Sequence, residues 1–267
     1  MTRIMGLLVL LAAAAVPAGA DVAWTEDFST DPAARGWAYS GKTPDLAGWD
    51  GAGALDVTWD ASADTSFYRR DLGITLDGDQ DFAFSCSIKL DACSISPDMF
   101  WEVSLGLYDS SVETDPLFDR GYVSGYAFGL LEWDFFPNEV NEGWVGMTGF
   151  DAAGGYFGVW NPYIAWNFDA VYGIDVTYDA MSRTLYTAMT VDGATLASFD
   201  PISLAGGAWS FDRFGVMSYG AAGTADLYAT GWVDNVAFSA SQVPEPATAL
   251  LLGCAIAALA PLARRRS

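Results

Sequence analysis

Glu132 and Asp134 flank Trp133 and are the residues whose types and spacing come closest to chemistry. On an extended strand, side chains alternate between faces, so the two carboxylates point the same way, about 7 Å apart along the chain. Retaining cleavage of a glycosidic bond needs a nucleophile and an acid only about 5 to 5.5 Å apart, a scale that same-face strand positions supply. Other routes are closed, because the 267 residues include no histidine. Neither Ser-His-Asp nor Cys-His catalysis can be built, nor zinc, iron or copper held through imidazole. Around the two acids lies the densest mixture of aromatic and amide side chains: Trp133, Phe135, Phe136, Asn138, Asn141 and Trp144, then Tyr156, Trp160, Asn161, Tyr163, Trp166 and Asn167. Rings that stack on pyranose faces, flanked by amide and carboxylate hydrogen bonds, are how proteins read sugars. The candidate glycan-contacting set is Glu132, Trp133, Asp134, Asn138, Trp144, Trp160, Asn161 and Trp166, in a region whose glycines suggest loops. Any one of these tryptophans competes with the ordinary demand of a core for large apolar side chains.

The elements that would position them read as strands. Phe82, Phe84, Cys86, Ile88 and Leu90 alternate with Ala83, Ser85, Ser87 and Lys89, the period-two pattern of a strand with one buried face. Trp101, Val103, Leu105 and Leu107 repeat it, and Tyr122 to Trp133 reads as a further strand. Tyr172, Ile174, Val176 and Tyr178 share a face, Asp179 to Arg183 form a polar turn, and Thr184 to Val191 return. Asp192-Gly193 is a hairpin dipeptide that accepts positive φ, leading into Ala194 to Phe199. Phe214 to Tyr219 and Gly231 to Ser239 supply the last two strands. Of the three cysteines, Cys86 and Cys93 lie in the body. If the segment between them stays extended, seven steps separate them by about 23 Å, so a disulfide requires a bend near Asp91.

Many antiparallel strands, 15% aromatic residues and frequent turns argue for an all-β fold, an antiparallel two-sheet β-sandwich. The opening Trp24-Thr25-Glu26-Asp27-Phe28, the Tyr172 to Phe199 meander and the closing Gly231-Trp232-Val233-Asp234-Asn235-Val236-Ala237-Phe238 resemble the concanavalin A-like, or laminin-G-like, jelly roll. A galactose-binding-like jelly roll is the competing arrangement. The resemblance implies that first and last strands pair, and that acidic residues near them hold a structural calcium; Glu26, Asp27 and Asp234 stand at the matching positions. Glucanases of this sandwich carry Glu-x-Asp-x-x-Glu on one strand. Here Pro137 occupies the place of the last glutamate, and Glu139 follows two residues late, after a proline expected to end the strand. The constellation is broken, so a non-catalytic protein is expected.

Both ends of the chain read as addresses. Arg3 precedes an apolar stretch from Ile4 to Val16, and Ala18-Gly19-Ala20 is an A-x-A cleavage site, so residues 1–20 read as a signal peptide and the mature chain starts at Asp21. At the other end, Val243, Pro244, Glu245 and Pro246 form an extended stalk over 241–246, because proline fixes φ and restricts its predecessor. Residues 247–263 carry no charge and suffice for one helix of roughly 25 Å, enough for a thin bilayer. Arg264, Arg265 and Arg266 follow and stay cytoplasmic. This order of Pro-Glu-Pro, apolar helix and arginine cluster resembles the PEP-CTERM sorting signal of Gram-negative bacteria. The resemblance implies a signal peptidase and the general secretion machinery, then an exosortase that cuts near the motif. It implies a transiently anchored protein whose body, residues 21–240, reaches the cell surface or extracellular matrix in association with exopolysaccharide and biofilm.

Charge narrows the partners. The chain carries 34 acidic and 12 basic residues and a net charge of −22; setting aside Glu245, Arg3 and the three tail arginines, 33 acidic and eight basic residues remain. Such a surface repels nucleic acid phosphates and anionic headgroups and leaves many oxygens available to calcium, and a saline habitat produces the same bias. Glycan or exopolysaccharide binding is the expected activity, with a structural or adhesive matrix protein and a sandwich-fold glycoside hydrolase or polysaccharide lyase as alternatives.

Overall fold

A computed structural model of the chain describes residues 21–49, 51–95, 102–111, 129–139, 142–150, 156–206, 208–220 and 227–241. The chain divides into Val22–Ala240 on one hand and Met1–Asp21 with Ser241–Ser267 on the other, and all sixteen described strands belong to the former. The expected signal peptide, sorting motif, apolar run and arginine cluster lie outside the described residues. Among the described residues no helix is long and apolar enough to cross a membrane.

The strands are β1 (Val22–Glu26), β2 (Trp37–Gly41), β3 (Ala47–Trp49), β4 (Leu55–Asp60), β5 (Ser66–Leu76), β6 (Phe82–Ser94), β7 (Val103–Tyr108) and β8 (Leu130–Glu139). They continue as β9 (Glu142–Phe150), β10 (Tyr156–Ala165), β11 (Tyr172–Asp179), β12 (Thr184–Val191), β13 (Ala194–Ser198), β14 (Ile202–Ser203), β15 (Phe211–Ser218) and β16 (Tyr228–Ala240). One sheet runs β13-β12-β11-β6-β16-β4-β3, with β1 added to β16 and β14 to β12; the other runs β10-β9-β8-β7-β15-β5-β2. Every pairing is antiparallel. The expected all-β, two-sheet jelly-roll sandwich is present, and its first and last strands pair, Val22 opposite Ala240 and Glu26 opposite Val236.

Alternation builds the interior. In β6, Phe82, Phe84, Cys86, Ile88 and Leu90 are buried, while Asp91 is the extra residue of a bulge opposite Thr230 and Gly231. The bulge changes the parity of the strand and returns Cys93 to the interior. Both cysteines are free and buried, in one continuous strand, so the bend a disulfide needs is not made. Between the sheets Trp37 meets Trp24 and Phe214 edge-on, with centroids 6.1 Å away in each case, and Trp209 stacks on Phe211 at 4.8 Å. Fully burying each such ring stabilises the fold by roughly 1.5–3 kcal/mol. The Asp192-Gly193 turn has φ of 47° and 78°, the geometry that closes a two-residue hairpin between β12 and β13.

Two expectations are corrected. The glycine-bearing region between Trp133 and Trp166 forms a three-stranded meander, β8-β9-β10, instead of loops. Pro137 does not end its strand: β8 continues to Glu139 through a register shift just beyond it, the irregular setting in which a strand tolerates proline. Gly143 stands opposite Pro137, and a Cβ there would lie 2.1 Å from the Phe136 carbonyl oxygen. Only glycine lets β9 approach so closely.

Candidate functional site

On β8, Leu131, Trp133 and Phe135 turn toward the second sheet. Trp166, just beyond β10, bridges the layers, with its centroid 6.2 Å from Trp133, 4.8 Å from Phe135 and 4.0 Å from Tyr172 of β11. Alternation sends Glu132 and Asp134 to the opposite face of the sheet, as sequence spacing requires. Both are fully buried there. The Ser104 hydroxyl of β7 donates to one Asp134 oxygen at 2.8 Å, and the Thr148 hydroxyl of β9 donates to the other. Glu132 accepts from the Tyr219 hydroxyl, which also lies 3.1 Å from the Met217 sulfur. Asp134 is thus held by hydroxyls from the strands on both sides and Glu132 by the hydroxyl of Tyr219, just beyond β15, which orients them and offsets the cost of burial.

This placement corrects four of the eight glycan candidates. Trp133 and Trp166 are packing residues between the sheets, and Glu132 and Asp134 have no exposed surface to offer a sugar. Asn138 lies in β8 and Trp160 and Asn161 in β10, with Trp160 opposite Gly146; their side chains lie outside the described residues.

Trp144 remains, and it is 44% exposed. It stands on the same face of the sheet as Thr148, two strand periods along β9, and is directly opposite Tyr163 on β10, the edge strand. Tyr163 is 41% exposed. The rings meet at 5.3 Å and 75°, a corner with one ring as floor and the other as wall. The Tyr163 hydroxyl donates to Glu142 Oε2 at 3.4 Å, a long bond that leaves the carboxylate at the rim of the corner. Phe136 lies opposite Trp144 on its other side and is buried, backing the corner from within the sheet. Glu142 is absent from the sequence-derived set, because its approach to Tyr163 depends on the β9–β10 register. The direct pairing of Trp144 with Tyr163 depends on a bulge between Trp160 and Tyr163 that carries no local sequence signal.

The residues expected to hold calcium are engaged with partners of their own. β1 and β16 do bring Glu26, Asp27 and Asp234 near one another, and the charges of Asp27 and Glu26 help to raise the Asp234 pKa, after desolvation as the larger cause. But the buried Glu26 carboxylate is already engaged. Arg35 Nε donates to Oε2 at 2.8 Å, an Arg35 terminal nitrogen pairs with Oε1, and the Phe28 N–H donates to Oε1 at 2.8 Å. Asp27 is occupied by the hydroxyl and N–H of Ser29, which hold its carboxyl below the usual range, and Asp234 by both nitrogens of Asn235. Six to eight free oxygens are not offered here. The seam already contains a cation, the guanidinium of Arg35, whose own pKa is raised by its bond to Glu26. Among the described residues no group of three or more Cys, Asp or Glu side chains is arranged to hold a metal ion.

No protein-family model matches the chain, and no curated protein matches it. Solved structures do. Peanut lectin superposes with a TM-score of 0.56 at 14% identity, covering 84% of this chain and 99% of the lectin. The seed lectin of Lotus tetragonolobus gives 0.53 at 13%, covering 84% and 100%. The carbohydrate recognition domain of Emp47p gives 0.52 at 13%, covering 81% and 94%. At these identities the likeness is one of fold, a lectin-like jelly roll spanning nearly the whole of each neighbour.

Proposed function

We propose that this protein is a non-catalytic glycan-binding protein, exported and sorted to the cell surface or extracellular matrix, whose ligand is a polysaccharide. The observation that carries the binding reading is the exposed Trp144–Tyr163 corner with Glu142 at its rim. It stands on a sheet of a sandwich whose solved neighbours include a carbohydrate recognition domain. Apolar side chains this exposed leave their faces in water, and a pyranose C–H face covers such a ring well. Support for a non-catalytic role comes from Glu132 and Asp134, buried under hydroxyl hydrogen bonds, and from Pro137 in the place of a third carboxylate.

Export rests on the sequence: the signal peptide over residues 1–20, then the Val243-Pro244-Glu245-Pro246 motif, apolar run and arginine cluster that an exosortase would process. In that reading the protein is held in the membrane by residues 247–263 only until the tail is cut. The binding reading is tested by tryptophan-fluorescence titration of the body with a panel of oligosaccharides. At least one oligomer should shift Trp144 emission and bind, and Trp144→Ala should weaken it by tenfold or more, about 1.4 kcal/mol. A panel that leaves the emission unchanged would favour a purely structural or adhesive matrix role.

A further inference from the structure

The rim of the Trp144–Tyr163 corner is acidic, and so is the chain that builds it. From Leu130 to Ala165 the sequence contains no lysine or arginine and five acidic residues, of which Glu132 and Asp134 are buried. That segment holds the whole β8-β9-β10 meander. Glu142 is partly exposed and touches the ring pair through Tyr163. We propose that this corner selects its sugar by charge, taking pyranosides that carry a free amino group, as in a de-N-acetylated hexosamine polymer, and rejecting uronates. The inference rests on the glycan-binding reading and specifies its ligand class.

Three physical terms act in one direction. An ammonium group against the face of Trp144 or Tyr163 meets the negative side of the ring quadrupole, which favours a cation within about 6 Å of the centroid. A carboxylate at the rim supplies a charge-assisted hydrogen bond to the same group, stronger than one to a neutral hydroxyl. The net charge of −22 concentrates cationic chains near the protein and repels anionic ones over roughly a Debye length. A neutral sugar retains the stacking alone. A uronate loses more, since its carboxylate would face Glu142 with no nearby cation supplied by the meander's own sequence.

The experiment is calorimetric titration of the body with three oligomers of equal length: β-linked glucosamine, the matching neutral glucan, and galacturonate. Glucosamine oligomers should bind about tenfold tighter than the glucan, and galacturonate should give no heat. Glu142→Gln should narrow the amine preference, and Trp144→Ala should abolish both. Equal wild-type binding of amine and neutral oligomers, measurable galacturonate binding, or a preference intact in Glu142→Gln overturns the charge selection; the glycan-binding reading survives if Trp144→Ala still abolishes binding. Amine binding that persists in Trp144→Ala is attraction to the acidic surface at large and overturns the site. Failure of all three oligomers overturns both.

Discussion

Arg35 is where a single side chain decides most. Its guanidinium neutralises a carboxylate with no exposed surface, and it also donates to the Thr30 carbonyl at 2.8 Å, holding the chain that links β1 to β2. Removing this partly exposed guanidinium leaves the buried Glu26 carboxylate without its cation, so Arg35→Ala should lower the urea midpoint of the body. Lysine should not rescue it fully, because it lacks the planar fork that meets both oxygens. Calcium and chelator should leave the melting temperature unchanged; a calcium-dependent rise would show that the carboxylates rearrange around a metal. The buried thiols give a second test. Desolvation pushes Cys93 up to about 12 from 9.0, and burial raises Cys86 as well, before the smaller effect of Asp175. A folded pKa above the unfolded one means that the neutral thiol is favoured in the fold. Its stabilising contribution is therefore complete below about pH 9 and is lost as pH rises toward 12. Urea midpoints should fall across that alkaline window, and thiol reagents at neutral pH should react only after unfolding; rapid reaction of the native body would show that the strand is open.

At the scale of strands, the meander depends on how closely β8 and β9 approach. Gly143→Ala would force a methyl group against the Phe136 carbonyl oxygen, and backbone cannot swing aside as a flexible side chain does. The substitution should loosen the β8-β9 ladder beside Trp144 and weaken oligosaccharide binding along with thermal stability. Unaltered binding in that variant would mean that the corner does not depend on this register. Strands with one buried face and short turns were readable from sequence: β6, β11, β12 and the Asp192-Gly193 hairpin lie where alternation and turn chemistry put them. β9 and β10 were not, because their glycines, small residues and rings follow no clean period of two. β7 is buried on both faces, so its pattern shows strand character without showing which side meets the second sheet. Partners distant in sequence were invisible for a different reason. Tyr219 reaches Glu132 across 87 residues, and Ser104 reaches Asp134 across 30, through pairings that only the finished sheet order creates. Trp144 was identifiable as an aromatic among amides; its difference from Trp133 and Trp166 lies in which face each occupies, which depends on the sheet that covers the other side.

For the whole molecule, sorting is tested by intact mass and terminal peptide mapping of protein recovered from membranes and from culture supernatant. The expected species starts at Asp21 and ends within Pro244 to Pro246. If the only species keeps Arg264 to Arg266, exosortase processing is not its fate, and partners should be sought in the envelope. The seam between first and last strands also determines how such a body carries load. β16 is an interior strand, bonded to β6 along one side and to β4 and β1 along the other. Tension arriving through the chain beyond Ala240 therefore enters the sandwich at its middle. It must shear ladders on both flanks of a 13-residue strand together, where an edge strand would peel one bond at a time.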